Sequence, residues 1–199
     1  QKLEEVGYPL GWTSVLDYDR HSDSYYSDSY SYYSSPFEGC SALKRIEVEE
    51  GATAIPKHAF QNMSALEEVV LPKSLTSIGT RAFQGSGLKA IELPEGIDTI
   101  SERAFANCSS LKEMVLPETI ETIGTYAFEG SSGMISINIP EKVTEIKEGT
   151  FKDCTNLSEV KLSEGLTTIY AYAFQNCNGL TSIELPDSIT KLGARAFYN

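Results

Sequence analysis

Two histidines and four cysteines are the side chains whose chemistry could make this chain a catalyst. A Ser/His/Asp or Cys/His site needs an imidazole held beside its nucleophile by a third group. His21 sits in a run of tyrosine, serine and aspartate, and His58 reads as part of an exposed edge. Cys40, Cys108, Cys154 and Cys177 share one position of a repeating unit, four or more residues in register from His58. At that position they read as small buried side chains in a ladder. Cys154 and Cys177 alone would lie on adjacent rungs, and neighbouring parallel strands rarely offer disulfide geometry. No Cys-x-x-Cys or Cys/His spacing points to zinc. Four cysteines in this pattern are therefore no sign of an oxidising compartment.

Carboxylates are the other reactive groups. Glu50, Glu95, Glu118, Glu141, Glu164 and Asp187 recur one per unit, with Lys73 as the exception. Such a row could attract Ca²⁺, which takes several oxygen ligands. No unit supplies two acids at ligand-like spacing, so a solvated turn is the reading. A glycosidase-like carboxylate pair has no specific signal on so acidic a chain. Gly85-Ser86-Gly87 follows a phenylalanine rather than a strand, so it is no phosphate loop. The chain reads as a non-enzyme without cofactor or metal.

What positions these residues is a repeat. All eight phenylalanines, Phe37, Phe60, Phe83, Phe105, Phe128, Phe151, Phe174 and Phe197, are spaced 23, 23, 22, 23, 23, 23 and 23 residues apart. A fixed period of this size marks a stacked-repeat architecture. The unit is L-x-x-I-x-L-P-x-x-I-x-x-I-G-x-x-A-F-x-N-C-x-x, and it starts at Leu43, Leu66, Leu88, Leu111, Met134, Leu157 and Leu180. The copy at Leu66 lacks one residue near Gly87.

In the copy 111–133, Met114 and Leu116 alternate with Val115, the pattern of a strand with one buried face. Pro117 has no N–H for a ladder and ends that strand. Ile120 and Ile123 point inward from a second short extended segment. Gly124 gives the chain freedom to bend. Ala127-Phe128 read as a single helical turn, closed by turn residues at Glu129-Gly130-Ser131. One unit cannot close a core alone, so like residues must stack on like residues. At ~4.8 Å per rung, eight rungs make a rod roughly 35–40 Å long.

These motifs resemble the BspA-like class of leucine-rich repeats over residues 36–199. Local departures are Glu49 and Ser163 for the proline, Thr150 for the alanine, and Met63, Ser86 and Ser131 for the cysteine. The resemblance implies a β-rich right-handed solenoid of the leucine-rich-repeat type, an α/β-type superhelix. Its parallel sheet would be concave, with short second strands and single helical turns on the outer side. Family members are mostly bacterial surface or secreted proteins that bind other proteins, some of them host matrix proteins. A cell-surface or secreted location for this chain follows from that resemblance only.

Composition sets outer bounds. With 199 residues and 41% apolar content, one domain with a substantial core is affordable in surface terms. A net charge of -12 and a pI near 4.6 argue against nucleic acid or an anionic membrane as partner. No apolar run approaches the ~20 residues of a membrane helix. No signal-peptide pattern is read. The chain begins at Gln1 without a methionine, so a leader cut away or left out is expected.

Residues 1–42 read as an N-terminal rung or cap. Leu3 to Pro9 fit L-x-x-I-x-L-P, Trp12 and Val15 fall at the two isoleucine positions, and Pro36-Phe37 resumes the unit. A first rung of 40 residues would then carry an inserted Tyr/Ser-rich loop, 17–35. A cap unrelated to the repeat is the alternative. Tyr25, Tyr26, Tyr30, Tyr32 and Tyr33 lie in the loop. Biased composition favours a linker, tyrosine with its apolar body to bury favours ordered packing without a function, and tyrosine with serine and aspartate is the chemistry of antibody-like binding loops.

Residues 43–199 read as seven stacked repeats of about 23 residues, the last truncated. Two strand columns face outward: Arg45, Glu68, Ala90, Glu113, Ser136, Glu159, Ser182, and Glu47, Val70, Glu92, Val115, Asn138, Lys161, Glu184. They should line the concave face, with Val70, Ala90 and Val115 as an apolar centre and Glu92, Glu113 and Asn138 on its rim. An apolar centre with a polar rim is a common interface plan. No polar capping segment follows Phe197. That end is expected to be a truncation point, to stack on further domains of the same chain, or to pair with another copy.

The leading function is a protein-binding surface module for adhesion or host matrix interaction, by fold-level analogy. A structural spacer in a larger surface protein and a carbohydrate-binding module are the alternatives.

Overall fold

The computed structural model describes residues 5–8, 37 and 39–199. Leu3, Trp12, Val15, His21, Pro36 and the 17–35 loop with its five candidate tyrosines lie outside the described residues.

Among the described residues, short strands recur at the repeat interval. They are β1 (Glu5–Tyr8), β2 (Arg45–Val48), β3 (Ala54–Ile55), β4 (Glu68–Val70), β5 (Ser77–Ile78) and β6 (Thr99–Ile100). There follow β7 (Thr122–Ile123), β8 (Ser136–Asn138), β9 (Glu145–Ile146), β10 (Glu159–Lys161), β11 (Thr168–Ile169) and β12 (Lys191–Leu192). All pair in parallel, each residue opposite its repeat equivalent: Ile46 faces Val69, Ile78 faces Ile100, and Ile137 faces Val160. The chain is thus a parallel β-solenoid. β1 pairs in the same sense with β2, Val6 opposite Ile46.

The alternation in each first strand sends one residue inward and its two neighbours out. Val69 is buried between exposed Glu68 and Val70, and Ile137 lies buried beside exposed Asn138. Second strands are only two residues long, yet each from β3 to β11 buries an isoleucine. These side chains join the phenylalanines in one cluster that runs the length of the stack. Phe60 through Phe174 are fully buried, and all eight rings stack in sequence order with centroids 5.1 to 5.8 Å apart.

No helix forms at Ala-Phe, contrary to the helical turn expected there; the segment is an irregular turn. The backbone shows why. In a helix every N–H returns to its own segment. Here alternate N–H groups leave for the next rung: His58 to Thr80 O, Phe60 to Ala82 O, Asn62 to Gln84 O. The groups between them close local turns, Ala59 to Pro56 O, Gln61 to His58 O and Met63 to Phe60 O. That alternation requires left-handed backbone at His58 and Asn62, with φ near 60° at both. Arg81, Arg103, Tyr126, Gly149, Tyr172 and Arg195 repeat the first of these sites.

Gly124 also differs from expectation. Its φ is not left-handed. A Cβ there would lie 2.4 Å from Glu102 N and from Ser101 C, so the residue is small because the preceding rung's backbone passes close by.

Neither strand ladder is continuous. First strands form one sheet β1-β2-β4 and another β8-β10, and second strands form β3-β5-β6-β7 and β9-β11-β12. The turn ladder crosses both gaps: Phe83 N–H reaches Ala104 O, Phe105 N–H reaches Ala127 O, and Phe128 N–H reaches Thr150 O.

Two substitutions test this packing in urea unfolding. Phe128→Ala empties a fully buried ring site and should lower stability by about 3–5 kcal/mol. Gly124→Ala should cost about 1–3 kcal/mol through overpacking. Gly96→Ala meets nothing nearer than 3.4 Å and should stay within about 0.5 kcal/mol of the parent.

Candidate functional site

Of the side chains weighed for catalysis, His21 lies outside the described residues, and His58 and three of the cysteines are buried in the stack. His58 is buried rather than on an exposed edge. Its Nδ1 lies 2.7 Å from Gln61 Oε1. Gln61 Nε2 in turn donates to Gln84 Oε1 at 2.8 Å. The imidazole is the first link of a cross-rung amide chain, not a poised base.

All four cysteines are free thiols. Cys108, Cys154 and Cys177 are buried, while Cys40 is half-buried. Each of the three buried Sγ atoms lies 3.1 Å from the carbonyl oxygen of the preceding rung's phenylalanine, Phe83, Phe128 or Phe151, and donates to it. Ser131 Oγ makes the same bond to Phe105 O at 2.7 Å. A small donor thus suits the position, and Ser131 replaces cysteine there with the same bond, while Met63 fills it without one. Burial pushes the Cys108 thiol up to about 11 and the Cys177 thiol to about 12. It also raises Cys154 well above the ordinary range, helped by neighbouring Cys177. Burial disfavours the thiolate, the form that reacts.

Among the described residues no three His, Cys, Asp or Glu side chains converge on a metal position. The turn acids have a structural use instead. Glu50 Oε1 accepts from Lys73 N and Glu141 Oε2 from Gly165 N, each on the next rung.

The outer turn edge carries a charge chain. Glu129 bridges Arg103 and Lys152, and the Arg103 guanidinium lies 4.6 Å from the Tyr126 ring centroid. Tyr126 donates to Glu148 at 2.5 Å, which with partial burial pushes the phenol up to about 12. Every contact runs from rung to rung, so the chain clips the stack together. Arg103 and Tyr126 share the repeat position of His58, while Glu129 follows Phe128 in another column and carries no signal in the repeat.

The first-strand face is different in kind. Val70, Ala90, Glu92, Glu113, Val115 and Asn138 are all exposed there, and Ala90 is bridged in parallel to Glu113. Val115 is 81% exposed, far beyond what an isoleucine or valine of this core shows. Between β4 and the next rung lies a cleft of about 310 Å³, lined by Glu68, Val69, Val70, Leu71, Ala90, Ile91 and Glu92. Glu68 and Glu47 are held by Arg45. Apolar area, a recess and a carboxylate rim thus meet on one face, which suits association with another molecule better than any bond-making step. The cleft was not read from the repeat, although the ladder gap falls where the copy at Leu66 is one residue short near Gly87.

The chain matches the family described as BspA type leucine rich repeat region, in six copies, over residues 30–154 and 76–199. No curated protein matches it. The solved leucine-rich repeat protein of T. pallidum superposes with a TM-score of 0.75 and 26% identity, over 92% of this chain and 80% of that one. A leucine-rich repeat protein from Bacteroides ovatus gives 0.66 and 31% identity, over 78% of this chain and 46% of its own. A leucine rich cell surface protein from Faecalibacterium prausnitzii gives 0.56 and 25%, over 82% and 59%. This chain spans less than two thirds of either of the last two. Among the described residues no helix is long and apolar enough to cross a membrane.

The thiols give a pH test. Their raised folded values mean the unfolded chain ionises first. Their contribution to stability is complete below pH 9, the ordinary thiol value, and falls as pH rises toward 11. Native chain at pH 8 should react with a neutral thiol reagent at Cys40, while Cys108, Cys154 and Cys177 lag by on the order of a hundredfold until urea unfolds the stack.

Proposed function

The chain belongs to the BspA-type leucine-rich-repeat family, and from that premise we propose that it is a non-enzymatic protein-binding module of a bacterial cell-surface or secreted protein. Its role would be adhesion or contact with a host matrix protein. The observation that carries this is the exposed patch of Val70, Ala90 and Val115 inside a polar rim. In this reading the solenoid is right-handed and the first-strand face is its concave side. Residues 1–42 form a first rung carrying the 17–35 loop, and seven repeats follow over 43–199. The parallel pairing of β1 with β2 supports that first rung. A surface location is supported by the F. prausnitzii neighbour, itself named a cell surface protein. The non-enzymatic reading is supported by an engaged His58 and by thiols held protonated.

A spacer role is the second reading, favoured by the unbroken ring stack. One experiment separates the two. The full chain, a Val70→Ser/Val115→Ser variant and a chain lacking 17–35 are immobilised and offered a panel of purified extracellular matrix proteins. The expected result is saturable capture of at least one of them, weakened about tenfold by the double substitution. Loss on deleting 17–35 would assign a share to the loop. No capture above a blank surface would leave the spacer.

A further inference from the structure

One opening in the first-strand ladder lies where the exposed apolar residues lie. β2 pairs fully with β4, and β8 with β10. Between residues 68–70 and 90–92, by contrast, no backbone hydrogen bond is made among the described residues. The two rungs separate just after Lys89 N–H, which donates to Glu67 O at 3.4 Å. In a closed ladder the peptide groups of both rungs would be paired. Here they border the 310 Å³ cleft. A row of free strand N–H and C=O groups is a template for another extended backbone.

Charge narrows the partner further. Along the two outward columns stand six carboxylates and two cations, Arg45 and Lys161. Arg45 is already engaged by Glu47 and Glu68. Glu92 and Glu113, on neighbouring rungs beside Ala90 and Val115, have no hydrogen bond or ion pair among the described residues. They are the uncompensated charges of the patch, on a chain of net charge -12.

We propose that this opening seats an extended polypeptide segment in which aliphatic residues alternate with lysine or arginine. The aliphatic side chains cover Val70, Ala90 and Val115, the cations meet Glu92 and Glu113, and the segment's backbone takes up the peptide groups left at the gap. Successive side chains of an extended segment point to opposite sides, so its cations reach the rim by lying across the cleft at a slant. The inference rests on the protein-binding reading and adds to it the conformation and chemistry of what is bound.

The test titrates the full chain with a fluorescein-labelled peptide, Gly-Ser-Lys-Leu-Lys-Leu-Lys-Ser-Gly, read by anisotropy. One control peptide carries serine for both leucines, and another carries glutamate for the lysines. The expected result is saturable one-to-one binding of the leucine–lysine peptide alone. Glu92→Gln/Glu113→Gln and Val70→Ser/Val115→Ser should each weaken it about tenfold. Glu118→Gln/Glu164→Gln, on the turn edge, should change it less than about twofold. The proposal is overturned if the serine–lysine peptide binds as tightly, if the turn-edge variant loses as much, or if the leucine–lysine peptide does not bind. A matrix protein still captured by Glu92→Gln/Glu113→Gln would also overturn the cleft as its seat, while leaving the protein-binding role in place.

Discussion

Each phenylalanine from Phe60 to Phe174 does two things at once, and the stack depends on their coincidence. Its ring lies on the ring of the next rung, and its N–H donates to the next rung's backbone. The ring contact is non-directional and could tolerate slippage. The hydrogen bond is directional and could form in a shifted register. Together they admit one alignment, with every rung a full repeat from the last. Because the turn N–H groups are used between rungs, the segment cannot also be a helix. The left-handed residues at His58, Asn62 and their equivalents are the backbone cost of that arrangement, offset by bonds that continue along the stack.

Much of this was legible beforehand because it is periodic. A residue confined to one register, as phenylalanine is here, declares a stack before any strand is assigned. The x-Ile dipeptides of the second strands and the inward residues of the first were readable from alternation. The turn was misread because Ala-Phe followed by Gln-Asn favours helix no less than turn. The contrary signal was Gly149 among the residues before Ala, together with Gly85 and Gly130 in the column of Asn62, Asn107 and Asn176. Glycine and asparagine sharing a column mark left-handed backbone. His58 looked exposed because its column mixes histidine, arginine and tyrosine, and burial there is set by the neighbouring glutamines.

The surfaces follow from the same geometry. Stacking like on like puts like charges one rung apart, and the molecule answers with cross-rung partners. Turn acids take backbone N–H groups, and Glu129 holds a cation on either side. On the first-strand side Arg45 performs this duty, and Glu67 holds Lys44 and Lys89 just before the strands. The candidate site was partly readable, since Val70, Ala90 and Val115 fall in outward columns. The cleft beside them was not read, although the one-residue deletion near Gly87 falls between the two rungs that open.

The strand gaps also set how the rod yields to load. Between the rungs that begin at Leu111 and Met134 neither sheet is continuous, and Ile135 N–H to Lys112 O is the tie left on the first-strand side. The aromatic column passes that joint with rings parallel within 1°, together with the turn bonds from Tyr126, Phe128 and Gly130 N–H to Glu148, Thr150 and Lys152 O. Flexural stiffness is consequently uneven. Tension is carried along the off-centre turn edge, where rings and turn bonds run together, and a sideways force is absorbed as a small rotation about that edge near mid-length.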